Sequence, residues 1–225
     1  PTVTPDGRIL YLRWDYTDAH HYYARIVMGM NPDGSGQMAL FGSNVYSPTG
    51  RHWPTPISWK PGKFAMINMP YGNFGGTQPL ADMLIIDRAR GKGAAAVEHV
   101  MLQRGKPFDP SFTEDGQLKN DRKTFNVPRF MTPHPLTDAE DPRGSGKYFL
   151  ATVKLSEDLP PALCLVDVFD NLTLIRQDTA LSYVEPVLVR ERYRPPVIPE
   201  RVDPDKKTAT VYMQDVYFGP GLRDV

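Results

Sequence analysis

Apolar residues along this chain fall into short β-rich runs bounded by turn residues, and the runs recur in one order three times. In the first occurrence Pro5-Asp6-Gly7 turns into a run from Arg8 to Trp14, a second run spans Ala24 to Met30, and Asn31-Pro32-Asp33-Gly34 turns into Gln37 to Leu40. The second occurrence reads Lys60-Pro61-Gly62, Lys63 to Ile67, Ala81 to Asp87, a turn at Arg90-Gly91-Lys92-Gly93, and Ala95 to Val100. The third reads Gly144-Ser145-Gly146, Lys147 to Val153, Pro161 to Asp167, the turn Asp170-Asn171, and Leu172 to Ile175. Short runs rich in β-branched and aromatic residues, punctuated by Gly, Pro, Asn and Asp, read as strands. Asp-Gly and Asp-Asn supply the positive φ that tight hairpins need. Each occurrence therefore predicts an antiparallel meander, and the chain is expected to be all-β.

A unit running turn, strand, gap, strand, tight turn, strand has the grammar of a β-propeller blade. The expectation is about three four-stranded antiparallel meanders over residues 1–193, joined by long loops. They form a partial ring, because closed propellers hold about four to eight blades. A β-sandwich with similar hairpins is the competing architecture.

Between the meanders the grammar breaks. Residues Gln103 to Arg143 are polar and punctuated by proline, which predicts an extended loop or partner-binding arm rather than a helix. A second irregular stretch, Val45 to Pro56, contains Arg51-His52-Trp53-Pro54. Residues 194–207, with Pro195-Pro196 and Pro199, read as a proline-rich linker. After it, Thr208 to Tyr217 alternates like the first strand of a following domain over 208–225.

Composition narrows the class of partner. Twenty-six basic residues balance 26 acidic ones, and no Lys/Arg run suggests a nucleic-acid track. No run is apolar over the length a membrane helix needs, and no signal peptide is evident. The 23 prolines and 18 glycines are interleaved with aromatics, which favours many turns over disorder. The single cysteine, Cys164, excludes an intrachain disulfide and any CxxC or CxxCH motif, and its apolar neighbours predict a buried, inert thiol. Beginning at Pro1, the chain reads as an internal segment of a longer one.

The densest chemistry lies between the first two strands, in Arg13-Trp14-Asp15-Tyr16-Thr17-Asp18-Ala19-His20-His21-Tyr22-Tyr23. Asp15, His20 and His21 are the candidate catalytic residues. Either Asp15, Asp18 and one of the histidines converge on a metal, a cofactor edge or a partner, or Asp15 and Arg13 brace the turn while Trp14 and Tyr22 pack between blades and one histidine is simply exposed to solvent. Adjacent residues on an extended chain point oppositely, so His20 and His21 do not ligate one ion together, and no residue is assigned as a metal ligand. Trp14, Tyr22, His52, Trp53, Tyr71, Phe74 and His134 are candidate binding residues, with Tyr46 a further aromatic contact. His52, His99 and His134 show no metal-ligand spacing, and GxSxG, Walker and GxGxxG motifs do not occur. Asn171-Leu172-Thr173 is a glycosylation sequon.

The order of Pro5 to Tyr16, the histidine-bearing loop, Met30 to Gly36, Leu84 to Asp87, Cys164 to Asp167, Glu185 to Leu188 and Val211 to Tyr217 resembles the propeller region of hydrazine-synthase alpha-subunit-like proteins. TolB-like propellers share the Pro-Asp-Gly and Asn-Pro-Asp-Gly turns. The resemblance implies an extracytoplasmic oxidoreductase subunit whose c-type haem is attached outside residues 1–225, so this segment itself holds no cofactor. Its expected partners are other domains of the same polypeptide and other subunits of a redox complex. It further implies that Asp15 and the His20-His21 loop line the ring mouth facing the haem domain, where a carboxylate or imidazole relays protons. The competing expectation is a non-catalytic TolB-like propeller that binds a protein or glycan through Tyr46, Trp53, Tyr71 and Phe74. A propeller gating a serine peptidase or lyase is a third.

Overall fold

The computed structural model describes residues 1–14, 25–43, 50–57, 62–69, 80–91, 93–102, 127–136, 146–191, 194–208 and 210. These contain twelve strands: β1 Thr2–Val3, β2 Ile9–Trp14, β3 Arg25–Met30, β4 Met38–Phe41, β5 Gly50–Pro56, β6 Lys63–Met69, β7 Asp82–Asp87, β8 Val97–Val100, β9 Arg129–Pro135, β10 Tyr148–Lys154, β11 Ala162–Asp167 and β12 Leu172–Arg176. Among the described residues helix is confined to two short 3-10 turns, Arg88–Arg90 and Ala94–Ala96. The strands form three four-stranded antiparallel sheets, ordered β1-β2-β3-β4, β5-β6-β7-β8 and β9-β10-β11-β12.

The nine strands predicted from apolar runs are present, and the fourth member of each sheet comes from elsewhere. β5 and β9 lie in the two stretches that read as irregular. Their proline pairs, Pro54 with Pro56 and Pro133 with Pro135, hid them. A proline cannot donate to a ladder, but it is tolerated on an edge strand, and both strands are edges of their sheets. Each carries a bulge against its neighbour, between His52 and Thr55 in β5 and opposite Leu150 to Thr152 in β9. Trp53 and Thr132, the residues ahead of Pro54 and Pro133, both adopt a φ of 46°.

Alternation along the strands gives the second sheet two apolar faces. Phe64, Met66, Leu84 and Ile86 join one core cluster with Leu10, Val27, Leu40 and Phe41 of the first sheet. Ala65, Ile67, Met83 and Ile85 join another with Phe130, Phe149, Ala151, Val153, Cys164 and Val166 of the third. Burying a large apolar side chain contributes about 1.5–3 kcal/mol, so these two clusters dominate the packing free energy. The sheets thus stack in chain order. Each new edge strand is laid on its predecessor: β5 lies against β1, β2 and β3, and β9 against β5, β6 and β7. Ala81, just ahead of β7, exchanges backbone hydrogen bonds of 3.0 and 2.7 Å with Phe130 of β9.

Residues 178–208, as far as described, contain neither helix nor strand, yet they touch both outer sheets. The Tyr183 N–H donates to Pro161 O at 3.0 Å, and the segment read as a linker returns to the first sheet. There Pro196 O occupies the space a Cβ on Gly7 would need, with Gly7 at φ 84°, and the Arg201 N–H donates to Asp33 Oδ2 at 2.6 Å. Bonds from Arg201 and Ser35 lower the Asp33 carboxyl from its ordinary 3.8 to about 2. A lowered carboxyl stabilises the docked state above its ordinary pKa and ceases to do so as pH falls from about 4 to 2. The Arg201 amide is therefore expected to lose protection from hydrogen exchange over that window. In Asp33→Ala it should exchange freely at every pH, and equal protection in the variant would show that Asp33 does not hold the tail.

Candidate functional site

The end of the first sheet from which residues 15–24 depart is closed by the pair Trp14 and Arg25, the last residue of β2 and the first of β3. The Arg25 guanidinium lies 4.9 Å from the centre of the Trp14 ring, while Arg25 is only 8% exposed and Trp14 46% exposed. Cation–π contacts contribute about 0.5–2 kcal/mol, more as the cation loses water, so the buried guanidinium helps to fix the partly exposed indole. His52 of β5 stands close enough to feel that charge. Burial first, and the Arg25 charge second, lower its imidazole from 6.5 to about 4, which keeps it neutral at physiological pH. His52 and Trp53 are tilted by 48° with ring centres 5.6 Å apart, held by the bulge that turns Trp53 to positive φ. The result at Arg25 is a fixed cation, the Trp14 indole and a neutral imidazole. The chemistry of such a set suits a carboxylate or an aromatic face, and its imidazole, lowered to about 4, does not switch charge near neutrality.

Of the candidate residues, Trp14 and His52 thus meet at Arg25, while Trp53, beside His52, packs against the core shared by the second and third sheets. Asp15, His20, His21, Tyr22, Tyr46, Tyr71 and Phe74 lie outside the described residues. His134 stands apart on β9, where its Nε2 accepts the Leu188 N–H at 3.2 Å. Arg25 escaped sequence reasoning because a lone basic residue at the head of an apolar run looks like a solvated strand end.

The remaining reactive groups hold sheets together. His99 Nε2 lies 3.0 Å from Asp170 Oδ1, which also accepts the Leu102 N–H at 2.8 Å, so the β11–β12 hairpin is tied to the second sheet. Asp167 shapes that hairpin by accepting from Phe169 N and Asn171 N at 2.9 and 3.0 Å. Burial alone raises its carboxyl, but the bonds from Asn171 and Phe169 outweigh burial and hold it below the ordinary range. Asn171 Nδ2 is bound to both Asp167 oxygens, so the sequon amide serves the turn. Cys164 is fully buried, and burial pushes its thiol up to about 11, leaving it protonated and inert.

A concavity of about 130 Å³ opens between the first two sheets at the opposite end, among Asp6, Arg8, Lys63 and Arg88. Arg8 is spent on Gly36 O at 2.8 Å and Lys63 on Glu98. Burial and then Arg8 lower the Arg88 guanidinium, while Asp6 opposes the shift. Its volume is well below the ~300 Å³ of typical ligand sites.

Among the described residues no three His, Cys, Asp or Glu side chains are grouped to hold a metal ion, and no helix is long and apolar enough to cross a membrane. These features define an all-β protein of three stacked antiparallel sheets with a cationic-aromatic cluster at one end. No family model, curated protein or solved structure matches the chain.

Proposed function

We propose that the chain is a run of β-propeller blades serving as the scaffold of a hydrazine-synthase-alpha-like redox protein, with haem attachment and catalysis outside residues 1–225. The observation carrying a scaffold role is how the described reactive side chains are used. His99, His134, Asp167 and Asp170 bond the sheets, hairpin and tail, and Cys164 is sealed in the core. The redox assignment rests on the ordered resemblance of its turns and strands to that family. In this reading the protein is extracytoplasmic and works with other domains and subunits.

The native protein, isolated from its source cells with an antibody to residues 1–225, tests this reading. Its reduced pyridine haemochrome is expected to show covalent c-type haem. A blank spectrum would overturn the redox assignment. It would leave the second reading, which the solvent exposure of Trp14 beside Arg25 favours: a TolB-like propeller that binds a protein or glycan through aromatic faces.

A further inference from the structure

Residues 183–189 repeat the geometry of β5 and β9. In each, a non-glycine residue at positive φ precedes a proline: Trp53-Pro54 at 46°, Thr132-Pro133 at 46° and Glu185-Pro186 at 52°. Positive φ is uncommon for such residues, and a following proline biases its predecessor to extended backbone, so a threefold coincidence marks one repeated structural position. The cross-sheet bond repeats with it. Phe130, two residues before Thr132, donates to Ala81 O just ahead of β7, and Tyr183, two before Glu185, donates to Pro161 O just ahead of β11. The Glu185 and Leu188 N–H groups then reach Thr132 Oγ1 and His134 Nε2 of β9, at 3.3 and 3.2 Å. The segment therefore lies on the third sheet as β9 lies on the second.

What differs is the other edge. β5 and β9 are paired there by β6 and β10, and Ile57 and Leu136, each three residues after the first proline, donate to Lys63 O and Tyr148 O at 3.0 and 2.8 Å. Among the described residues no strand pairs with 183–189. Val189 is equivalent to Ile57, yet it is 96% exposed where Ile57 is 0% exposed, and Val184 and Val187 are exposed too. Each second strand already present begins at or just after a positive-φ glycine and a basic residue: Gly7-Arg8, Gly62-Lys63 and Gly146-Lys147.

We propose that residues 183–189 form the first strand of a fourth sheet, and that their free edge binds a β-meander of the β10–β12 kind opening on glycine and a basic residue. The proposal continues two interfaces already built in the chain and holds whether or not the redox reading does. Strand addition draws its affinity from main-chain hydrogen bonds and its specificity from alternate side chains.

The test uses the full chain 1–225 and a labelled peptide with the β10 sequence Lys147–Lys154. The peptide is expected to bind saturably and to slow hydrogen exchange at the amides of 184–189. Val189→Pro, which deletes the N–H equivalent to those of Ile57 and Leu136, should weaken binding about tenfold, as loss of one strand hydrogen bond does, without lowering the melting temperature. Absence of binding, or binding that leaves those amides unchanged, overturns the proposal. Self-association of the chain alone that protects the same amides assigns the edge to a second copy and overturns the meander as its occupant.

Discussion

Phe149→Ala is expected to lower the free energy of unfolding by about 3–5 kcal/mol, a large part of the ~5–15 kcal/mol that holds an ordinary domain folded. Phe149 is 0% exposed on β10, paired with Pro135 and Val166, and belongs to the cluster shared by the second and third sheets. Removing its ring leaves a cavity between rigid pleated surfaces that cannot close without breaking strand register. Phe169, in the neighbouring hairpin, is 61% exposed, and Phe169→Ala should change stability by no more than about 0.5 kcal/mol. Urea unfolding of both variants reads the difference. Similar small losses in the two would mean that the third sheet does not pack on the second as described.

The second large effect is a loss of stability on mild acidification. His52 titrates at about 4 when folded, against 6.5 ordinarily, because burial and the Arg25 charge disfavour the imidazolium. Between about pH 6.5 and 4 the unfolded chain therefore takes up a proton that the folded chain refuses. Stability is complete above that window, falls through it, and stops falling from this source below about 4. A shift of this size corresponds to up to about 3 kcal/mol. His52→Gln removes the titration, so the variant should show a flatter stability profile from pH 7 to 4, measured by urea unfolding at intervals. Parallel profiles for the two proteins would place His52 in water, away from Arg25.

The sequence made the meanders legible because their middle strands are near-continuous apolar runs flanked by turn residues. Leu84 to Ile86 and Cys164 to Val166 could hardly be anything but strands. β5 and β9 stayed hidden because Pro54, Pro56, Pro133 and Pro135 argue against a strand until it is known that each lies at a sheet edge. The same prolines concealed the likeness of 183–189, which only the φ values of Trp53, Thr132 and Glu185 and their cross-sheet bonds bring out. At the candidate site, Trp14, His52 and Trp53 could be picked out by residue type. The approach of Trp14 and His52 to Arg25 could not, because it depends on how β5 is laid across β2 and β3.

The stacking of consecutive sheets is most directly tested by a disulfide between Ile57, at the end of β5, and Gly146, ahead of β10. A Cβ at Gly146 would lie 4.0 Å from Ile57 Cβ, within the ~3.5–4.5 Å a disulfide spans. It would also crowd Ile57 Cγ2 at 2.5 Å, an atom that Ile57→Cys removes. Cys164 is buried and protonated, so it does not compete. Mild oxidation of the Ile57→Cys/Gly146→Cys protein is expected to give an intramolecular crosslink, seen as faster migration on a non-reducing gel. Two thiols that stay free, or that crosslink only between molecules, would contradict the stacking of the second and third sheets.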